Sequence, residues 1–267
     1  MHSESSLPWP KATQPQAVEP VQGTHRQPRI VLTGQTAYTI FAFPPNRDTL
    51  GATAYFIVGK QTNILIDSPP WNPTTQEFLK DQGGVTWFFL THRNGISQVR
   101  EIQKAYGCQI LIQEQEAYLL PGLPITTFQE DFELDDVAVN DVAVNDVDAD
   151  KLAVNDSING GGIAQVIWTP GYSPGSACLY HPAYGGVLFS GRHLLPSPNG
   201  ELLPLRTAKT FHWRRQLQSL QKLVDRFSPE TLQHLCPGAN TGFLRGQRTI
   251  PQAYEKLCQR NHAGYYS

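Results

Sequence analysis

Four short segments of the chain combine glycine or proline with side chains that could do chemistry. They are Leu90–Ser97 (LTHRNGIS), Thr169–Ser176 (TPGYSPGS), Phe189–His193 (FSGRH) and Leu235–Asn240 (LCPGAN). Imidazole and phenol groups can ligate metals or move protons, whereas a guanidinium only donates hydrogen bonds and carries positive charge. Each segment follows an apolar run typical of a strand, and strand-end loops often carry function in α/β folds. We therefore expect the four loops to form one site together with Asp67, which precedes them in the segment LIDS.

The elements that position these loops alternate between strands and helices, which predicts an α/β protein with strands buried on both faces. Apolar and β-branched runs predict strands over residues 37–43, 52–58, 64–66, 87–90, 109–112, 163–168, 177–180, 186–190 and 232–236. Helices are predicted over residues 74–82, 97–106 and 251–259. A further amphipathic helix is indicated by one apolar stripe: Trp213, Leu217, Leu220, Val224 and Phe227.

From about Ala37 to the C-terminus, the four loops, taken in their order along the chain, resemble the motifs of the metallo-β-lactamase superfamily. Its usual motifs are T-H-x-H-x-D-H, T-P-G-H-[ST]-x-G-S, S-G-D and P-G-H-G. The resemblance implies an α/β (α+β) fold, a four-layer αββα sandwich with a metal site at one edge. In that family, which includes glyoxalase II-like thioesterases, lactonases and β-lactamases, His and Asp residues bind zinc or iron. A metal-bound hydroxide then attacks the substrate carbonyl.

Position by position, the resemblance fails at most of the metal ligands. His92 alone matches a ligand of the family, and the other six positions are occupied by Asn94, Ile96, Ser97, Tyr172, Arg192 and Ala239. A catalytic zinc ion normally needs three protein ligands. Arg192 stands in place of a bridging aspartate, and its permanently protonated guanidinium would repel a metal ion. We therefore expect no metal cofactor where the family holds zinc or iron.

Two interpretations of the remnant pocket remain open. In the first, Arg192 fills the vacated space and pairs with Asp67, while Ser97 caps the following helix and the His92 and Tyr172 side chains are core residues. In the second, the polar residues still converge on a cationic cleft that could hold a carboxylate or phosphate. The residues of that cleft are His92, Asn94, Ser97, Tyr172, Arg192 and Asp67, with Arg93 and His193 beside them.

The function predicted from these residues is that of a metal-free pseudoenzyme, a binding or regulatory protein whose ligand is a small anion, with no catalytic residues expected. The alternative is a divergent hydrolase of the thioesterase or lactonase type with residual or atypical activity. Metal-free catalysis is a third hypothesis, with His92 and Tyr172 as base or nucleophile and Arg192 stabilising an oxyanion. A protein partner, bound through the acidic repeat or the N-terminal tail, is the fourth.

The chain divides into a tail, a domain and an insertion. Residues 1–28 are rich in Pro and Gln and predict a disordered tail, and residues 29–267 form the metallo-β-lactamase-like domain. An acidic repeat insertion covers about 131–158, where VAVND occurs at 137–141 and 142–146 and LAVND at 152–156. Residues 130–156 hold ten acidic residues and one Lys, which leaves 13 acidic and 20 basic residues elsewhere. We expect the insertion to be a solvated hairpin extension.

Composition excludes several other classes of function. The formal net charge of −2 implies no general attraction to nucleic acid or membranes. The four cysteines form no C-x-x-C pair, so neither a zinc knuckle nor a redox motif is indicated. No signal peptide is visible, and free thiols are usual in a reducing compartment. The sequence therefore predicts a cytoplasmic protein.

Overall fold

The computed structural model describes residues 26–135, 162–204, 206–208 and 210–259. Most of the predicted tail and most of the repeat insertion, including all three copies of the repeat, lie outside the described residues. Within the described part of the chain, no helix is long and apolar enough to cross a membrane.

The described residues contain fifteen strands and four α-helices. The helices are α1 (Pro73–Asp81), α2 (Val99–Tyr106), α3 (Trp213–Arg226) and α4 (Ala253–Cys258). The strands are β1 (Arg29–Leu32), β2 (Thr39–Ala42), β3 (Tyr55–Val58), β4 (Asn63–Ile66), β5 (Trp87–Phe89), β6 (Gln109–Gln113), β7 (Ile125–Phe128), β8 (Phe132–Leu134), β9 (Ala164–Trp168), β10 (Ala177–His181), β11 (Val187–Gly191), β12 (Leu195–Pro196), β13 (Leu202–Leu203), β14 (His234–Pro237) and β15 (Ile250–Pro251). Each predicted strand and helix is present, with small shifts at its ends.

Two large sheets contain thirteen of these strands, and β12 and β13 pair in a separate two-stranded sheet. The first has the order β1-β2-β3-β4-β5-β6-β7, and the second has the order β15-β14-β11-β10-β9-β8. Strands β4 to β7 run parallel to one another, and so do β11 and β14. Parallel strands end at the same edge of a sheet, so the loops that follow β4 and β5, and those that follow β11 and β14, are gathered together.

Three apolar layers hold the two sheets and the helices together. Between the sheets, Ile57 and Phe89 of the first pack with Leu179 and Phe189 of the second in one buried cluster. On the outer face of the first sheet, the cluster includes residues of α1 and α2. On the outer face of the second, it includes residues of α3 and α4. Because side chains alternate along a strand, each sheet presents an apolar face both to its partner sheet and to its helices. The predicted four-layer αββα sandwich is therefore confirmed.

Local signals explain where the helices begin and end. Asn72 precedes α1 and accepts a hydrogen bond from the Thr75 backbone N–H at 3.0 Å, and Pro73 occupies the first turn, where a missing N–H costs nothing. Helix α2 ends at Gly107, whose φ of 63° lies in the left-handed region that glycine adopts without strain. The end of α2 at Gly107 was predicted from the glycine, whereas the cap at Asn72 was not predicted.

The first residues of the predicted insertion belong to the body of the domain. Strand β8 lies inside the range 131–158 and pairs with β9. The Asp131 carboxylate accepts from the Lys222 ammonium at 2.7 Å and from the Arg226 guanidinium at 2.9 Å, both on α3. It also accepts from the Trp168 backbone N–H at 2.8 Å. The chain that enters the insertion is thus tied to the second sheet and to α3.

Candidate functional site

The loops after β5, β9, β11 and β14 meet at one edge of the sandwich, as predicted. The backbone N–H of Ala177 donates to the Thr91 carbonyl at 2.8 Å, and that of Gly238 donates to the Gly191 carbonyl at 2.7 Å. A side chain at Gly191 would bring its Cβ to 2.4 Å from the Thr91 hydroxyl oxygen. The glycine at 191 is therefore required by the close approach of the two sheets.

A buried hydrogen-bonded chain runs from Asp67 to His92 through Thr91. The Asp67 Oδ1 atom accepts from the Thr91 backbone N–H at 2.9 Å, and Oδ2 accepts from the Thr91 hydroxyl at 2.7 Å. The same hydroxyl oxygen lies 2.7 Å from His92 Nδ1. Gly95 packs against this chain, since a Cβ there would lie 2.3 Å from Asp67 Oδ1.

Burial dominates the electrostatics of both ends of this chain. Burial raises the pKa of Asp67 to about 6, although the hydrogen bonds from Thr91 and the charge of Arg192 act in the opposite direction. Burial lowers the pKa of His92 to about 3, and the positive charges of Arg192 and Arg93 lower it further. The His92 imidazole is therefore neutral at pH 7, and its Nε2 atom is buried without a hydrogen-bond partner in the described part of the chain.

Two substituted ligand positions bond to each other. The Tyr172 hydroxyl donates to Asn94 Oδ1 at 3.0 Å, and the Tyr172 ring meets the His92 ring edge to face with centroids 5.1 Å apart. Tyr172 is only 4% exposed. These side chains therefore close over His92 where the resemblance places metal ligands.

The loop that carries Tyr172 is held by the start of α3. The backbone N–H groups of Phe211 and His212 donate to the Tyr172 and Gly171 carbonyls at 3.0 and 2.9 Å. Gly171 has a φ of 151°, and a Cβ on it would lie 2.3 Å from the Cα of Gln216. Helix α3 therefore packs directly on the loop backbone, which explains why this position is glycine.

Arg192 does not form the predicted ion pair with Asp67. Its Nη2 atom donates instead to the carbonyls of Thr49 and Leu50, at 3.1 and 2.9 Å. The Asp67 carboxylate already accepts two hydrogen bonds from Thr91, and its nearest basic group within ion-pairing range is the neutral His92 ring at 4.0 Å. The predicted pairing was wrong because a residue next to the carboxylate satisfies it first. Arg192 acts on Asp67 only through its charge.

Two other predicted positions have structural roles. Ser97 is not a helix cap: α2 begins at Val99, and Gln98 occupies the cap position with a φ of 46° and no side-chain cap bond. The Ser97 backbone instead exchanges hydrogen bonds with the Ser68 hydroxyl, at 3.0 Å to its N–H and 2.5 Å to its carbonyl. Ile96 packs against the outer core of the first sheet.

Ala239, the seventh ligand position, is buried beside the other three loops. It is 6% exposed, and its neighbour Gly238 contacts the backbone of Gly191. The methyl group of Ala239 contributes no donor or acceptor. Of the seven positions, the structure thus links His92, Tyr172 and Asn94 through contacts of Tyr172, and the charge of Arg192 acts on His92.

Glu116 is a buried residue of this region that the sequence analysis missed. Only 1% exposed, it follows β6, and its Oε1 atom accepts from the Gly175 backbone N–H at 3.3 Å. Burial raises its pKa, although hydrogen bonds from Ser173 and Gly175 and the charge of Arg93 lower it. No local pattern distinguishes this Glu from the exposed carboxylates around it, so tertiary contacts alone reveal its role in holding the TPGYSPGS loop.

His193, whose orientation was left open, is buried. It is 1% exposed, and burial lowers its pKa to about 3. Neither ring nitrogen has a hydrogen-bond partner within the described residues, while the His193 carbonyl accepts from Gln216 Nε2 at 3.2 Å. Gln216 lies outside the predicted apolar stripe of α3, and its side chain is fully buried.

The residues at this edge do not fit a zinc or iron site. Among the described residues, no group of three or more His, Cys, Asp or Glu side chains is arranged to hold a metal ion. The imidazole of His92 is one suitable ligand, but Asn94 and Tyr172 are bonded to each other and Arg192 is a cation. Since zinc sites normally use three or four protein ligands, this donor set is too small and carries the wrong charge.

Comparison with known proteins identifies the family of this chain. The sequence model of the metallo-β-lactamase superfamily matches residues 47–226, whereas no curated protein matches the chain. Among solved structures, an archaeal metallo-β-lactamase superfamily protein, ST1585 from Sulfolobus tokodaii, is similar over 82% of this chain and 85% of its own, with a TM-score of 0.51 and 15% identity.

Two further structures share the fold at equally low identity. TTHA1623 in a di-iron-bound form has a TM-score of 0.55 and 19% identity, over 80% of this chain and 96% of its own. The DIM-1 metallo-β-lactamase, in a crystal exposed to ceftazidime, has a TM-score of 0.57 and 12% identity, over 89% and 99%. At such identities the likeness establishes the fold alone.

Proposed function

Because the chain belongs to the metallo-β-lactamase superfamily and carries an arginine where the family's motif has a bridging aspartate, we propose that it is a metal-free pseudoenzyme that binds a small anion and acts as a binding or regulatory protein. The observation that carries this proposal is the position of Arg192. Its charge lowers the pKa of both His92 and Asp67, so it acts directly on the remnant site.

The chemistry of the remnant site favours an anion over a cation. Arg192 uses Nη2 for the Thr49 and Leu50 carbonyls, while its buried Nε has no partner among the described residues. Arg93 adds a second positive charge near His92. Guanidinium groups bind carboxylate and phosphate oxygens through charge-assisted hydrogen bonds, which are stronger than those between neutral groups.

A divergent hydrolase of the thioesterase or lactonase type is the alternative. It is favoured by His92, whose neutral ring has an unpartnered Nε2 atom that could accept a proton from water. In that case Arg192 would stabilise the negative charge that develops on a substrate carbonyl oxygen. This alternative requires a bound water and a substrate carbonyl to reach Nε2.

The first test is elemental analysis of the full chain purified without added metal, combined with thioester and lactone hydrolysis assays. The proposal predicts metal far below stoichiometry and hydrolysis at the rate of a His92→Ala variant. Near-stoichiometric zinc or iron that disappears together with activity in His92→Ala would contradict the proposal and support the hydrolase.

Anion binding is tested separately by calorimetric titration with inorganic phosphate. Arg192→Gln should weaken binding at least about tenfold, because a charge-assisted contact contributes about 1.5–3 kcal/mol. Arg100→Gln is the matched control, since Arg100 also donates to a backbone carbonyl, that of Pro121, but lies on α2. Equal losses in both variants would show that Arg192 has no special role.

The compartment expected for this function is the reducing cytoplasm. Cys108, Cys178 and Cys236 are buried free thiols, and Cys258 is an exposed one. Burial raises the pKa of Cys108 and Cys178 to about 12, which keeps both in the unreactive thiol form. A protein with an exposed free thiol is best suited to a compartment that keeps thiols reduced.

A further inference from the structure

Unpartnered buried polar atoms recur on the loops after β5 and β11 and on α3, which packs on the TPGYSPGS loop. Nine buried side-chain nitrogen or oxygen atoms of the described residues have no hydrogen-bond partner, and five of them belong to His92, Arg192, His193 and Gln216. Folded proteins leave few buried polar atoms without a partner, so such a concentration indicates groups that a guest molecule completes. Among these atoms is Nε2 of His92, a residue that is 1% exposed and lies on the loop after β5.

The hydrogen bonds that link Asp67, Thr91 and His92 determine whether Nε2 is a hydrogen-bond donor or acceptor. With Asp67 ionised, the single proton of the Thr91 hydroxyl is donated to Asp67 Oδ2, at 2.7 Å. The Thr91 oxygen can then only accept at its 2.7 Å contact with His92 Nδ1, so Nδ1 carries the ring proton. A neutral imidazole has one such proton, and Nε2 is therefore left as a lone-pair acceptor.

A site that contains the acceptor His92 Nε2 and the cation Arg192 sets two conditions on its ligand. Arg192 requires negative charge, whereas His92 Nε2 requires an O–H or N–H donor and repels a bare anionic oxygen. Resting on the proposed function, we propose that the site selects anions that carry a hydrogen-bond donor beside their charge, as a hydrogen phosphate group or an α-hydroxy carboxylate does. An anion of equal charge without that donor leaves Nε2 unpaired and binds more weakly.

Tyr172 controls access to this acceptor. Its ring lies edge to face on the His92 ring, and one hydrogen bond from its hydroxyl to the half-buried Asn94 holds it there. A ligand that reaches Nε2 must displace this ring, which costs that hydrogen bond together with the ring contact and the burial of the Tyr172 side chain, 4% exposed.

The test compares two pairs of ions on the full chain by calorimetry at about pH 8. Hydrogen phosphate and sulfate carry equal charge there, but only hydrogen phosphate has an O–H; glycolate and acetate differ in the same way. We expect at least one donor-bearing ion to bind about tenfold or more tightly than its partner. Preference for phosphate identifies a phosphoryl ligand, and preference for glycolate identifies a hydroxy acid.

The outcomes separate this inference from the function on which it rests. If the members of both pairs bind equally well, the selectivity is overturned while anion binding stands. If none of the four ions binds, the proposed function itself fails.

Thr91 provides a second, independent measurement as a positioning residue. Thr91→Val removes the hydroxyl that keeps the ring proton on Nδ1, so the ratio of phosphate to sulfate affinity should fall toward one while sulfate still binds. Thr91→Ser keeps the hydroxyl and should keep the ratio. A ratio that is unchanged in a folded Thr91→Val protein would overturn the tautomer argument, and the wild-type ion pairs remain decisive if that variant does not fold.

Discussion

Several side chains at the remnant site satisfy their hydrogen bonds with one another. Tyr172 and Asn94 occupy two ligand positions and satisfy one another, and Thr91 satisfies the Asp67 carboxylate. Each replacement is neutral or cationic. The positions that carry metal ligands in the family's motif thus include the cationic Arg192 and no carboxylate in this chain.

The bond between Tyr172 and Asn94 gives a prediction at this scale. Tyr172→Phe keeps the ring against His92 but removes the donor, and should lower the free energy of unfolding by about 1 kcal/mol. Urea denaturation of Tyr172→Phe, Asn94→Ala and the double variant measures the coupling between the two side chains. Strictly additive losses would show that the hydrogen bond does not exist in solution.

At the scale of elements, the site depends on the packing of α3 against the TPGYSPGS loop. The loop carbonyls accept from the two residues that precede α3, and Ser219 of α3 donates from its hydroxyl to the Pro170 carbonyl at 2.8 Å. Glu116 holds the other side of the same loop through Gly175. Tyr172 is therefore positioned from two directions by elements distant in sequence.

Gly171→Ala should separate the loop from α3. The new Cβ would lie 2.3 Å from the Gln216 Cα, and the φ of 151° is itself unfavourable for alanine, so we expect a loss of about 3 kcal/mol or more in the free energy of unfolding. Gly200→Ala is the control, because Gly200 also has a positive φ, 81°, but nothing within 4 Å of its Cβ position. Denaturation midpoints that shift equally in both variants would rule out close packing as the cause.

At the scale of the whole molecule, three histidine side chains are buried in the neutral form, and burial opposes their protonation. Burial lowers the pKa of His92 and His193 to about 3 and that of His181 to about 4, from 6.5. His181 lies in β10 with its ring edge to face against Tyr38 at 4.4 Å. An unfolded chain protonates all three as the pH falls below 6.5, whereas the folded chain does not.

Stability should therefore be present in full above about pH 6.5 and should be lost as the pH falls toward 4. Each histidine contributes about 1.4 kcal/mol per pH unit in that window. The raised pKa values of Asp67 and Glu116 act in the opposite direction, because the folded protein keeps those protons where the unfolded chain releases them. A net loss of roughly 1–3 kcal/mol between pH 6 and 5 is expected, measured by denaturation at each pH.

His181→Asn isolates one of these contributions. Asparagine keeps an acceptor for the Ala183 backbone N–H, which donates to His181 Nδ1 at 3.2 Å, but cannot be protonated. The slope of stability against pH should become shallower by about one proton. His212→Asn is the control, since His212 is exposed and likewise accepts a backbone hydrogen bond, from Arg215. A slope unchanged in His181→Asn would contradict the prediction.

Much of the molecule could be predicted from local patterns. Alternating and 3.6-residue periodicities are set by side chains a few positions apart, so β3, β5 and α3 were predicted close to their observed limits. The glycine and proline frames of the four loops, together with their order, indicated the αββα sandwich and the edge where the loops meet. The edge strands β1, β7, β8 and β15 and the two-stranded sheet of β12 and β13 were missed, because pairing with a neighbour rather than intrinsic pattern makes them strands.

The sequence by itself determined which residue stands at each position where the family's motif has a metal ligand, and His92 is the one match among the seven. Only the tertiary structure decided where the longer side chains go. Arg192 reaches Thr49 and Leu50, residues more than a hundred positions away, because Thr91 already satisfies Asp67. A hydrogen-bond partner is chosen by distance in space and by what is still unpaired, and neither quantity is visible in the order of the residues.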